Sequence, residues 1–206
     1  MSSAFVRVLV VMRNFQTTHS APAQFIKQGL TLLLFLFIIG FATALSAQDM
    51  EHRVEAEYIE RFTHYIEWPV DSISETGGDP FSVCVLGENP FGKYLQQLLS
   101  EVKIKGKKAA IHETQKTADT NHCQIVFVSG NDPVFVRNAL HELSSKPILT
   151  IGEAPYFAKQ GGHIQFTHSD KFIRFMINPS AAEQSRLKIS SRLLDLATLV
   201  ETQIKP

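Results

Sequence analysis

Three groups of residues have the types that chemistry needs: one glycine-flanked turn, eight histidines and two cysteines. Gly87-Glu88-Asn89-Pro90-Phe91-Gly92-Lys93-Tyr94 matches the phosphate-cradling pattern G-x-x-x-x-G-K-[ST] in all but its last position. Such a loop aims consecutive backbone N–H groups at phosphates while a Ser or Thr hydroxyl holds Mg²⁺. Here Pro90 removes one N–H, Tyr94 lacks the compact hydroxyl, and the apolar run ending at Val128-Ser129-Gly130 supplies no aspartate for the metal. The segment is expected to be a strand-to-helix turn, with no nucleotide partner. The histidines show neither H-x₃-H nor HExxH, no C-x₂-C occurs, and only His163 and His168 fall close together. They are expected as surface or partly buried side chains, so no metal or other cofactor is expected. There is no G-x-S-x-G elbow, and neither cysteine carries a nucleophile's signature, so no catalytic residue is assigned and the chain is not read as an enzyme.

The cysteines have a different use. Cys84 lies in the middle of one expected strand and Cys123 at the start of another. In a sheet wound from βαβ units the first and third strands are commonly neighbours, so the two sulfurs can meet across it. A lone pair of cysteines in an exported chain favours a disulfide. The alternative is two buried free thiols acting as small apolar residues.

Export is read from the first 47 residues. Their only charges are Arg7, Arg13 and Lys27, followed by the apolar run Leu32–Ile39 and a small-residue stretch, Thr43–Ala47. That order of regions is a secretory signal peptide, cleaved between about Ala44 and Gln48; translation starts at Met1 or at Met12. A membrane anchor over Leu30–Leu45 is the alternative, although its apolar core is shorter than the roughly 20 residues of a span. Residues 48–206 then make one domain. The leader takes three of the 20 basic residues and none of the 20 acidic ones. The remainder is slightly acidic and has no electrostatic footprint for nucleic acid.

The elements that would position these residues alternate. Apolar spacing at Tyr58, Ile59, Phe62, Tyr65 and Ile66 predicts a helix over Ala56–Trp68, stopped by Pro69. Strands are expected at Phe81–Leu86, Ala109–His112, Gln124–Val128 and Ile148–Ile151, with a helix at Phe91–Leu99. Asp132-Pro133 opens a helix over Val134–Leu143 as N-cap and first helical residue. Ile164–Thr167 and Phe172–Ile177 flank a polar turn and read as a hairpin, and Ser180–Val200 reads as one long terminal helix. The fold class is α/β: a single domain with a mainly parallel central sheet, helices on both faces, and a C-terminal β-hairpin plus long helix.

Two surfaces invite contact. Along Phe172–Ile177, Ile173, Phe175 and Ile177 alternate with Arg174, Met176 and Asn178, so the second face presents a guanidinium and an amide. Arg174 and Asn178 either meet a partner or bond neighbouring backbone and carboxylates. Tyr58, Phe62, Tyr65 and Trp68 place four rings in eleven residues. Either all four pack on the sheet, or some remain as interface anchors.

Several blocks taken together resemble one family. Tyr58-Ile59…Phe62…Tyr65-Ile66-Glu67-Trp68-Pro69, Phe81–Gly87 with Pro90-Phe91-Gly92, Cys123–Phe127, Leu149-Thr150-Ile151, Gly161-Gly162-His163-Ile164, Ile173–Asn178 and Leu187–Ala197 follow in the order of the YfiR family of periplasmic proteins, over about Val54–Val200. The resemblance implies a non-enzymatic regulator that binds and represses the periplasmic domain of an inner-membrane diguanylate cyclase, lowering cyclic-di-GMP and biofilm formation. It also implies dimers and a redox response through cysteines. Cys84 and Cys123 match a family pair, a second pair found in some members is absent, and His163 stands where many relatives carry Met.

Three functions remain in play: a partner-binding regulator, a periplasmic receptor for a small ligand at the carboxyl ends of its strands, and a hydrolase. An exposed apolar patch rimmed by polar groups favours the first, and clustered ionisable groups in a deep pocket the third.

Overall fold

Among the described residues, the apolar strand runs Phe81–Leu86 and Ile125–Val128 pair with one another at the centre of a curled sheet. The computed structural model describes residues 50–73, 79–169 and 172–203. The leader expected over residues 1–47 lies outside them. Within them a helix, α1, covers 50–62 and is followed by a short strand β1 (Ile66–Glu67). Next come β2 (Phe81–Leu86), α2 (Tyr94–Glu101), β3 (Lys103–Ile104), β4 (Lys107–Thr114), β5 (Ile125–Val128), α3 (Pro133–Leu143) and β6 (Leu149–Gly152). The last third holds β7 (Ile164–Ser169), β8 (Phe172–Ile177), α4 (Pro179–Gln184), β9 (Lys188–Ile189), α5 (Ser191–Leu194) and β10 (Thr198–Leu199).

Eight strands form one sheet in the order β10-β8-β7-β6-β5-β2-β4-β3. Pairing is parallel except between β7 and β8 and between β3 and β4. β1 and β9 make a separate antiparallel pair, Ile66 opposite Ile189. The period of two sorts β2 and β5 cleanly. Val83, Val85, Ile125 and Phe127 join the core under α1 and α2, whereas Cys84, Leu86, Val126 and Val128 join the one under α3. Both faces are covered, so the central strands are mostly apolar, with Ser82 and Thr150 as buried polar exceptions. The tight Gly161-Gly162 step has a packing cause: a Cβ at Gly162 would overlap the buried Phe157 ring.

Three expectations are corrected. The first helix does not run to Trp68: it ends at residue 62, where Thr63, His64 and Tyr65 donate to carbonyls three residues back and Thr63 Oγ1 bonds Glu60 O at 2.6 Å. That tightening releases Ile66-Glu67 to pair with β9. The strand expected at Ala109–His112 is longer, Lys107–Thr114. The long helix over Ser180–Val200 does not exist. After α4, Arg186 takes a left-handed φ of 58° and the Leu187 N–H bonds Ala182 O, closing the helix as a Schellman-type stop. Ser190 then caps the short α5 by accepting from the Arg192 N–H. β7 and β8 pair antiparallel from Ile164↔Ile177 to Ser169↔Phe172, and the turn at Asp170-Lys171 lies outside the described residues.

His163 shows how the β6–β7 region is tied to α4. Its Nδ1 accepts from the Thr150 N–H at 2.9 Å, so the proton sits on Nε2, which lies 3.2 Å from Ala181 O and 3.1 Å from Ser185 Oγ. Burial depresses the imidazole to about 4, against which the Ala181 carbonyl pulls only weakly. Between about 6.5 and 4 the unfolded chain takes up a proton that the folded chain refuses. The stability this side chain contributes is therefore full above 6.5 and lost as the pH falls through that window. Thermal melts should show the advantage of the wild-type protein over His163→Gln shrinking by on the order of 3 kcal/mol between pH 7 and pH 4. A constant difference across that range would refute the assignment.

Candidate functional site

The aromatic residues of α1 divide by the helix's geometry. Glu55, Ala56, Ile59 and Phe62 recur at helical spacing and are buried, so Phe62 belongs to the core. Its ring lies 5.2 Å from Phe175 and 5.9 Å from Phe166. Tyr58, one position off that stripe, is half-buried and contacts Phe62, Phe166 and Phe175. Trp68 is 8% exposed, edge-on to Phe81 at 5.3 Å, and its Nε1–H donates to Gln124 O at 3.1 Å. Tyr65 alone of the four is exposed, at 38%.

Beside this aromatic cluster runs a groove of about 620 Å³ between the end of α1, β8 and the segment from α5 to β10. Tyr58, Phe62, Tyr65 and Arg174 all line it, so four of the six residues expected to bind a partner converge there. Its far wall carries Leu193, Asp195 and Leu196, the last 74% exposed. Arg174 is exposed and makes no hydrogen bond or ion pair with any described residue, so among these residues neither the neighbouring carbonyls nor a carboxylate engages it. The edge strand β10 pairs with β8 only at Met176 and Ile177, which leaves the flank of β8 beside Arg174 uncovered among the described residues.

Trp68 and Asn178 lie outside this groove. Asn178 is fully buried. Its Oδ1 caps α4 by accepting from the Ala181 N–H, and its Nδ2 donates to Ala158 O and Thr202 Oγ1, each at 2.8 Å. The sequence carried the signal, because Asn178-Pro179 repeats the cap-and-proline pattern of Asp132-Pro133. Leu193 and Leu196, which complete the groove, lie inside the span Ser180–Val200 whose apolar spacing suggests a helix that does not form, so spacing alone does not mark them.

The near-match to a phosphate loop is occupied by its own side chain. Asn89 Oδ1 accepts from the Phe91 N–H, and Nδ2 donates to Gly92 O and to Glu113 Oε1 at 2.7 Å. This is the strand-to-helix turn expected, closed by an Asx turn.

Cys84 and Cys123 are disulfide-bonded, with Cα atoms 6.0 Å apart, and both are buried. The parallel register sets Val83 against Ile125, so Cys123, two residues before β5, reaches the flank of Cys84 on the α3 side of the sheet.

Comparison with known proteins places this geometry among relatives. A family model described as YfiR/HmsC-like matches residues 52–198. No curated protein matches. Among solved structures, the crystal structure of the ABC domain in complex with L-Trp from Streptococcus pneumonia is similar at a TM-score of 0.43 and 9% identity, over 64% of this chain and 58% of that one. The chain thus spans less than two thirds of that protein's length.

The disulfide closes a loop with a sequence separation of 39, which on the chain-entropy account stabilises the fold by roughly 4 kcal/mol. Replacing both cysteines by alanine should lower the thermal midpoint by on the order of 10 °C. Mass spectrometry of the protein as isolated should find neither thiol alkylated until it is reduced.

Proposed function

The chain belongs to the YfiR/HmsC-like family, and from that membership we propose that it works by contact, as an exported, non-enzymatic regulator that binds and represses the periplasmic domain of an inner-membrane signalling protein such as a diguanylate cyclase. The observation that carries the contact reading is the groove: the guanidinium of Arg174, unpaired among the described residues, lines it together with the exposed Tyr65 and Leu196. Arginine and tyrosine dominate the energetics of protein interfaces because each combines a large planar surface with a polar tip. The disulfide fits an oxidising compartment. A homodimer through the same groove is the competing occupant.

Residues 1–47 are proposed as a cleaved leader that delivers the domain to the periplasm. N-terminal sequencing of the exported protein should begin between Ala44 and Gln48; a chain still carrying Arg7 or Lys27 would be an anchored protein instead.

A second reading, a receptor for a small ligand, is favoured by the place of one feature: the polar cluster of Glu55, Glu153 and His168 stands at the carboxyl ends of β6 and β7.

For the regulator, deletion of the gene should raise cellular cyclic-di-GMP. Tyr65→Ala and Arg174→Ala should each weaken partner binding by about tenfold or more and raise cyclic-di-GMP as the deletion does, with thermal midpoints unchanged. Unaltered cyclic-di-GMP on deletion would sink the cyclase version and leave the small-ligand receptor as the better account.

A further inference from the structure

His52, Glu55, Glu153 and His168 come from three separate parts of the chain and meet at one point. His52 and Glu55 are one helical turn apart on α1, Glu153 directly follows β6, and His168 lies near the end of β7. Glu55 is wholly buried although it carries a carboxyl. His52 Nδ1 is 3.1 Å from Glu55 Oε2 and 3.9 Å from Glu153 Oε1, and His168 Nε2 is 2.7 Å from Glu55 Oε1. One ligand atom each from His52, Glu55 and Glu153 lies within 4.8 Å of the others. Glu153 Oε1 is buried and has no hydrogen-bond partner.

We propose that His52, Glu55 and Glu153 hold a divalent transition-metal cation of the zinc class. Four donors placed about 2.1 Å from a tetrahedral ion are roughly 3.4 Å from one another. The observed separations of 3.1 and 3.9 Å fall on either side of that spacing. A buried carboxylate oxygen without a donor is costly, and a cation between the two carboxylates satisfies Glu153 Oε1 while removing their mutual repulsion. The donor set is one imidazole and two carboxylates, which suits zinc-class ions over magnesium or calcium, whose ligands are all oxygen. His168 bonds the far oxygen of Glu55 and so orients the ligating carboxylate from outside the coordination shell. The Phe91 ring, edge-on at 6.2 Å, packs the His52 imidazole into place. His52 and Glu153 keep 16% and 29% of their side-chain surface exposed, which leaves a way in from solvent and a fourth position for water or a small ligand. The site stands at the carboxyl ends of parallel strands, where open α/β sheets bind ligands.

The spacing of histidines along the chain hides this arrangement, because it joins residues 52, 55 and 153 across the fold. A different pair, His112 and His122, with ring centroids 4.8 Å apart, supplies the control. Zn²⁺ titrated calorimetrically into the purified, chelator-stripped protein should bind one ion per chain, and about a hundredfold excess of Mg²⁺ should not displace it. His52→Ala and Glu153→Gln, both at partly exposed positions, should each weaken Zn²⁺ binding at least about tenfold with an unchanged circular-dichroism spectrum. The double variant His112→Ala/His122→Ala should bind as the wild type does. Absence of Zn²⁺ binding, binding indifferent to His52→Ala and Glu153→Gln, or binding lost in the His112/His122 variant would each overturn the proposal. None of these outcomes bears on whether Tyr65 and Arg174 contact a partner.

Discussion

Burial of one stripe of α1 against the sheet is the constraint on which both ends of the molecule depend. The stripe runs Glu55, Ala56, Ile59, Phe62, and three of its four members are the apolar residues that position requires. The fourth is a carboxyl. Burial, and after it the neighbouring negative charge of Glu153, together push Glu55 up to about 10. A helix free to rotate would turn that group to water. It stays because Ile59 and Phe62 lie on the same face and cannot leave the core without taking their rings and methyls into solvent, at about 1.5–3 kcal/mol each. His52 and His168 then surround the buried carboxyl with polar partners.

The same rotation of α1 decides which rings remain available for contact. With Phe62 locked between Phe166 and Phe175, Tyr58 falls at the margin of the core, and Tyr65, beyond the helix end, projects past it. The backbone at Tyr65 is held from the other side, since its carbonyl accepts from the Ser190 N–H at 2.8 Å. That bond, continuous with the β1–β9 pair, fastens the C-terminal segment to the end of α1 and so builds the groove's two walls from opposite ends of the chain. A single continuous helix over the last residues could not supply that pairing, because its N–H groups would be spent on its own carbonyls.

What was legible in the sequence was whatever local chemistry decides. Asp132-Pro133 capped the helix it was expected to cap, and Phe172–Ile177 alternates as its residues require. The adjacency of β2 and β5 followed from the winding rule, and with it the pairing of Cys84 with Cys123. Illegible were features set by contacts far apart in sequence. Leu187, Ile189, Leu193 and Leu194 carry apolar spacing close enough to a helix to mislead, although Ser190 offered a cap in the middle of the run. Glu55 lies just before the Ala56 start that apolar spacing suggests for α1, and nothing local marks it as buried until Glu153 and His168 are brought to it by β6 and β7. Asn178 was read for its side of a strand when its chemistry was that of a helix cap.

The disulfide and the groove are separated by the layout of the sheet. Cys84 joins β2 to the start of β5 on the face under α3, while the groove lies at the other edge, against β8 and β10, on the face under α1. Reduction therefore removes no groove contact directly. Between the disulfide and the groove stand β6 and β7, the strands that intervene between β5 and β8. Those are also the strands whose ends carry Glu153 and His168 to the first turns of α1. The buried carboxyl is thus a point at which the middle of the sheet and α1 share a polar contact, and a packed apolar residue in its place would give up that link.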